Sequence, residues 1–193
     1  GALSLVLVGH GIFGTGEDML ASGGAAEIFH PLANDLGVIF IATDWVGLSG
    51  GDLNMIIEEV LPDVERVRVV TDRLVQAHGN NLALVEMART HLMSDPVIQV
   101  DHAQPLIDGD AVYYYGISLG GVQGASQTAL SPHISRSILA VPGAGWAHLI
   151  QRSTQFEPLE TLFDVLYPDP LTQSVLLAMA QTFFDWSDPG NVS

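Results

Sequence analysis

Hydrophobic positions along the chain fall into two patterns. Short strand-like runs occur at Leu3–Val8, Val38–Thr43, Val112–Tyr115 and Ser135–Val141, and the first, LSLVLV, is an apolar run suited to a strand buried on both faces. Between them lie longer stretches with helical periodicity: Leu53–Val60, Asp63–Ala77, Asn81–Met93 and Gly120–Leu130. Pro62 and Gly79 punctuate this middle region into separate helical segments. A polar loop follows over Asp95–Asp110, and its Asp108-Gly109 fits a turn ahead of the next strand. From Trp146 onward the pattern is helix or loop, through WAHLIQRS, PLETLFDVLY and PLTQSVLLAMAQTFFDW. Strands alternating with helices predict an α/β fold with a mostly parallel sheet and helices on both faces. The division expected is a core over residues 1–145 and a helical cap segment over 146–193.

Two of the strands end in glycine-rich turns. The run AVYYYGISLGG at Ala111–Gly121 leads from a β-rich stretch through Gly116-Ile117-Ser118-Leu119-Gly120 directly into a helix. Gly-x-Ser-x-Gly between strand and helix is the setting in which a sharp turn exposes a serine hydroxyl at a sheet edge. The two glycines suit positions where backbone and helix come too close for a Cβ. The helix starting after Ser118 also aims N–H groups at any negative charge the serine generates. A second match, Gly47-Leu48-Ser49-Gly50-Gly51, competes with it. There Thr43-Asp44-Trp45 separates the apolar run from the glycines, and Asp52 looks like the N-cap of the helix that follows. Gly47–Gly51 therefore reads as a loop at a strand end, and Ser118 is the candidate nucleophile.

The strand Leu3–Val8 runs into Gly9-His10-Gly11-Ile12-Phe13-Gly14-Thr15-Gly16. A loop so rich in glycine can turn a backbone N–H outward, and ester cleavage needs two such donors for the carbonyl oxygen. The Ile12 and Leu119 N–H groups are the expected pair. A dinucleotide fingerprint does not fit this loop, and a Gly-Lys-Ser/Thr phosphate loop is excluded because the chain has no lysine. His10 could serve as a base; on the oxyanion side it reads better as a histidine that shapes the loop.

On LVGHGIFGTGED, ATDWVGLSGGDL, VYYYGISLGG and FFDWSDP the chain resembles an α/β-hydrolase, and more narrowly a group of uncharacterised bacterial α/β-hydrolases, over nearly its whole length. The resemblance implies a serine esterase or lipase-like enzyme with Ser118 as nucleophile and Ile12 and Leu119 as oxyanion donors. It implies no cofactor and no metal, and a small-molecule ester as substrate. It further implies a parallel sheet in the order Val38–Thr43, Leu3–Val8, Val112–Tyr115, Ser135–Val141. The family's acid and histidine follow two later strands, neither of which is visible here. His133 and His148 are the histidines after Ser118, and both look poorly placed: one at the start of a strand, one opening the cap. Asp164, Asp169, Asp185 and Asp188 are acids of the cap, with Asp188-Pro189-Gly190 a turn signal. The expectation is thus the middle of a hydrolase domain, a partial α/β-hydrolase fold whose acid/histidine end lies beyond Ser193. The outer edge of Ser135–Val141 would then be covered by a second copy of the chain, by cap residues, or by the rest of the protein.

Composition narrows the field further. The 193 residues are 48% hydrophobic with mean hydropathy +0.32, ample for one core, and no repeat or low-complexity tract interrupts them. A net charge of −16, with every basic residue an arginine, repels phosphate backbones and anionic bilayers, so nucleic acid is an unsuitable partner. No apolar run reaches membrane-spanning length; the best is Ser174–Phe184. The absence of cysteine excludes disulfides and thiolate metal sites without fixing a compartment, and a secreted or extracytoplasmic location stays open. Histidines and carboxylates lack metal-ligand spacing, and Asp101-His102 is too local to form a site alone. The apolar cap residues Leu162, Phe163, Leu166, Leu176, Leu177, Met179, Phe183 and Phe184 fit either an acyl pocket or ordinary packing. A thioesterase, a peptidase, or a non-catalytic domain on a hydrolase scaffold remain alternatives to the esterase.

Overall fold

The computed structural model describes residues 2–96 and 106–191; Asp101-His102 and much of the polar loop before the third strand lie outside them. Four strands, β1 (Leu3–Gly9), β2 (Val38–Ala42), β3 (Ile107–Ile117) and β4 (Ile134–Ala140), form one sheet in the order β2-β1-β3-β4. All neighbours run parallel, as the sequence pattern implied. Leu5, Leu7 and Val8 of β1 and Val112 of β3 have no exposed surface, which is why these strands read as unbroken apolar runs.

Side chains alternate across a strand, and the three consecutive tyrosines of β3 show the consequence. Tyr115 meets Phe29 of α2 (Ala26–Leu36) edge-on on one face, beside Phe40 of β2. Tyr114 points to the other face, where its hydroxyl donates to Gly120 O at 2.6 Å in α5 (Leu119–Leu130). Helices thus cover both faces. The short α1 (Gly16–Leu20) precedes α2, and α3 (Leu53–Met55) and α4 (Val67–Thr90) lie between β2 and β3. Following β4 are α6 (Trp146–Ile150), α7 (Glu157–Leu166) and α8 (Pro170–Phe184), with α8 packed against α4 and α6. None of the described helices is long and apolar enough to cross a membrane.

Three local expectations are corrected. Gly79 does not break the middle region; α4 runs through it for 24 residues. A mid-helix glycine costs only about 1 kcal/mol, and the buried face of Val70, Leu74, Ala77, His78, Asn81 and Val85 outweighs it. Asp108-Gly109 lies inside β3, at a register break where Ser4 pairs with Asp108 but Leu5 pairs with Val112. Asp52 does not cap the helix ahead of it but folds back, accepting from the N–H groups of Gly47 at 2.7 Å and Ser49 at 2.9 Å. Its second oxygen pairs with Arg73 at 2.7 Å.

One buried polar cluster ties α4 to α5. His78 sits with Nδ1 2.8 Å from the Gln127 side chain and Nε2 2.8 Å from that of Gln123, all three buried. Both amides turn Oε1 to the ring, and a neutral imidazole, with one N–H, donates to only one of them. Burial holds the His78 pKa below its ordinary value, against the opposing pull of the two amides.

Candidate active site

Ser118 stands between β3 and α5 with φ 56° and ψ −115°. A non-glycine residue there costs roughly 1–3 kcal/mol and persists only where its surroundings fix it. The surroundings here are specific. The Ser118 N–H donates to Ala140 O at the end of β4 at 3.0 Å, and the Gly120 N–H donates to His10 O at the end of β1 at 2.8 Å. A Cβ on Gly116 would fall on the Gly120 carbonyl, and one on Gly120 would fall on the Gly9 carbonyl. Glycine is therefore required on both sides of Ser118, for the steric reason the spacing suggested.

The loop after β1 closes against this turn. A Cβ built on Gly11 would lie 3.6 Å from Ser118 Cβ, so the loop backbone passes directly beside the serine. His10, fully buried, shapes it: Nε2 accepts from the Trp45 N–H at 2.7 Å and Nδ1 lies 2.7 Å from Gly11 O. These bonds fix the tautomer with hydrogen on Nδ1, and burial holds the ring's pKa below its ordinary value despite the Gly11 bond. With both nitrogens engaged, the ring has no free lone pair for a serine proton.

Phe13, Ser118 and Val141 are the described non-glycine residues with positive φ, at 55°, 56° and 57°. Each follows the C-terminal end of a different strand (β1, β3 and β4). Ser118 and Val141 line one open cavity of about 350 Å³, and Phe13 adjoins it through Ile12. Strain of this kind concentrates where a backbone is held for a purpose other than stability. Ile12 and Leu119 line the same cavity. Among the described residues nothing accepts a hydrogen bond from the Ile12 N–H; Leu119, as first residue of α5, has no intrahelical acceptor.

The opposite wall comes from α6 and the turn after it: Trp146, His148, Arg152 and Phe156. Asp188, buried at 2% exposure, secures this wall. Its carboxylate accepts from the N–H groups of Gly145 at 2.9 Å, Trp146 at 3.0 Å and Gly190 at 2.9 Å, and from the Gln181 amide at 3.0 Å. Burial pushes its pKa up, but these four donors outweigh burial and hold it below the ordinary value. Behind Trp146 and Phe156 lies a second, apolar cavity of about 150 Å³, bounded by Ile56, Val60, Val70 and Phe163. Phe163, Leu177 and Phe184 of the apolar cap set face it, whereas Leu166 and Met179 are exposed. Residues Ile56–Val60 form a π-helical turn, a distortion that widens the helix beside this cavity.

Ser49 is separate from all this. It is 4% exposed and its hydroxyl donates to Asp52 at 2.6 Å, inside a capped 3-10 turn. His133 precedes β4, at the opposite end from Ala140 and Ser118, and pairs with Glu86 at 3.2 Å. His148, which looked poorly placed in the sequence, lies on the wall of the Ser118 cavity. Arg152, Trp146 and Phe156 gave no sequence signal, because the chain after β4 must fold back before they meet Ser118. Among the described residues no three His, Asp or Glu side chains converge as a metal site.

No protein-family model and no curated protein sequence matches the chain. Among solved structures, acetyl xylan esterase 1 from Thermoanaerobacterium sp. JW/SL YS485 superposes with a TM-score of 0.56 at 15% identity. The match covers 100% of this chain and 56% of that one, so the chain spans about half the length of the esterase it matches. At that identity the likeness is one of fold: a partial α/β-hydrolase-like fold, four parallel strands with flanking helices.

Proposed function

We propose that this chain carries the nucleophile and oxyanion half of a serine esterase, with Ser118 attacking the ester carbonyl. The observation that supports it most directly is the strained Ser118 on a cavity shared with the Ile12 and Leu119 N–H groups. As Ser118 Oγ bonds to the carbonyl carbon, the carbonyl π electrons move to oxygen, and these two N–H groups stabilise the oxyanion. The serine proton passes to a histidine base and then to the departing alkoxide, leaving an acyl-serine that water cleaves by the same steps. The apolar cavity behind Trp146 and Phe156 suits an acyl chain, and residues 146–193 act as a cap over the site.

We infer that the base is a histidine other than His10 and is not bonded to Ser118 among the described residues. His10 is committed at both nitrogens, and no described side chain accepts a hydrogen bond from Ser118 Oγ. Loss of a triad member leaves roughly 10³–10⁴-fold catalysis over water from the oxyanion hole and binding alone. The test is p-nitrophenyl butyrate turnover and fluorophosphonate labelling of residues 1–193, alongside Ser118→Ala. Turnover should be weak, and the part that the oxyanion hole alone supplies should survive Ser118→Ala, whereas labelling should vanish in that variant. Labelling unchanged in Ser118→Ala refutes the serine assignment. Robust Ser118-dependent turnover that is lost in His148→Gln moves the base to His148.

A further inference from the structure

The charge around Ser118 runs against the charge of the whole chain. The sequence holds 22 acidic residues and 6 basic ones, yet the described lining of the Ser118 cavity includes Arg152 and His148 and no aspartate or glutamate. Three of the other five arginines are neutralised in place: Arg66 by Glu59 at 2.6 Å, Arg73 by Asp52 at 2.7 Å, Arg89 by Glu86 at 3.2 Å; Arg68 and Arg136 form no ion pair with a described residue but do not line this cavity. Arg152 forms no ion pair with any described residue. In an anionic protein with no lysine, a free guanidinium retained at a cavity mouth and flanked by no carboxylate is a local reversal of field. Guanidinium presents a planar fork of N–H donors that matches a carboxylate in two parallel hydrogen bonds. Trp146 on the same wall, 3% exposed, adds a buried indole N–H with no acceptor among the described residues.

The two cavities meet at Trp146 and Phe156 and differ in character: one is lined mainly by aliphatic and aromatic side chains with Glu160 and Asp164 among them, the other carries Arg152 and His148 and no carboxylate. We infer that the substrate is a two-ended ester, with an apolar arm for the inner cavity and a carboxylate for Arg152 at the outer one. This rests on the serine-esterase reading for the reaction, but the recognition of the anion does not depend on turnover. Arg152 is a specificity residue in this account: it holds the far end of the substrate and takes no part in bond cleavage. The acidic remainder of the surface repels such an anion, so capture is confined to this cavity.

The experiment uses Ser118→Ala to prevent cleavage and compares 4-(hexanoyloxy)butanoic acid, whose acyl chain is apolar and whose alcohol arm ends in a carboxylate, with its uncharged methyl ester, following Trp fluorescence and ligand-observed NMR. The acid should bind about tenfold more tightly than the methyl ester, the span of a charge-assisted hydrogen-bonded pair. The preference should shrink in roughly 0.5 M salt. In Ser118→Ala/Arg152→Gln the two ligands should bind within about twofold of each other, while Arg152→Lys retains part of the preference. Arg152 is exposed, so these variants are expected to fold, and far-UV circular dichroism checks that they do. Equal binding of acid and ester, or a preference that survives Arg152→Gln, overturns the inference. Fluorophosphonate labelling of the parent chain and of Ser118→Ala separates the two claims. Labelled Ser118 with no charge preference sinks this inference alone; an intact preference with labelling that persists in Ser118→Ala sinks the serine assignment and leaves a carboxylate-binding cavity.

Discussion

Replacing Asp188 with alanine tests whether the wall facing Ser118 is held by one carboxylate. The side chain serves four donors: the N–H groups of Gly145, Trp146 and Gly190 and the Gln181 amide. Two of the four have substitutes after truncation. Gly190 is exposed and turns to water, and Gln181 keeps Asp185 at 3.0 Å. The Gly145 and Trp146 N–H groups, at the buried start of α6, have none. A buried donor stripped of its acceptor costs about 1–3 kcal/mol, and more when the lost acceptor was charged, so Asp188→Ala should destabilise by roughly 3–5 kcal/mol. For a chain of this size that is a fall in Tm of about 10 °C. Asp188→Asn keeps one carbonyl acceptor and should lose about 1–2 kcal/mol. Urea unfolding followed by circular dichroism measures both. The acid limb adds a signature. Because the folded carboxyl sits below its ordinary value, its stabilisation is complete above about pH 4 and is lost as pH falls through the folded value. That steep limb should be present in the wild type and blunted in Asp188→Asn. A loss under about 1 kcal/mol in Asp188→Ala would refute the idea that α6 hangs on this group.

Two further outcomes discriminate between rival readings. Ser49→Ala removes the 2.6 Å bond to Asp52, so it should cost about 1–2 kcal/mol in urea yet leave fluorophosphonate labelling intact; loss of labelling would make Ser49 the nucleophile. His10 and His78 both have folded pKa values below 6.5, so the unfolded chain takes up protons first and stability should fall as pH drops below about 6.5. His78→Gln should flatten part of that slope between pH 7.5 and 5.5 in urea titrations, and an unchanged slope would show that His78 does not contribute.

What the sequence disclosed depended on how local the cause was. β1 was legible because a parallel strand buried on both faces leaves an apolar run such as LSLVLV, and the other strands because β-branched and aromatic residues cluster between the helical patterns. The glycines around Ser118 were legible because a steric demand two residues away writes itself into the chain. Gly79 misled because a helix tolerates one glycine when the packed face on either side is strong. Asp52 misled because the same residue type caps forwards or folds backwards, and Arg73 and the Ser49 turn decided which. The opposite wall of the cavity was illegible for a different reason. Its members acquire meaning only when the chain after β4 returns across the ends of the strands, and nothing in a run such as WAHLIQRS records that return.

The bonds from Gly120 to His10 and from Ser118 to Ala140 also govern when the serine turn comes into being. They join segments that are distant in sequence, and β1 gains its second neighbour only after a long excursion through α4. Closing loops of that length is slow, and a nascent chain lacking β4 has no partner for the Ser118 N–H. The positive φ at Ser118 is therefore among the last features to be imposed during folding and among the first to relax if β1 or β4 detaches. A half-folded chain holds Ser118 in an ordinary backbone conformation, so the reactivity proposed for it would report on completion of the whole sheet.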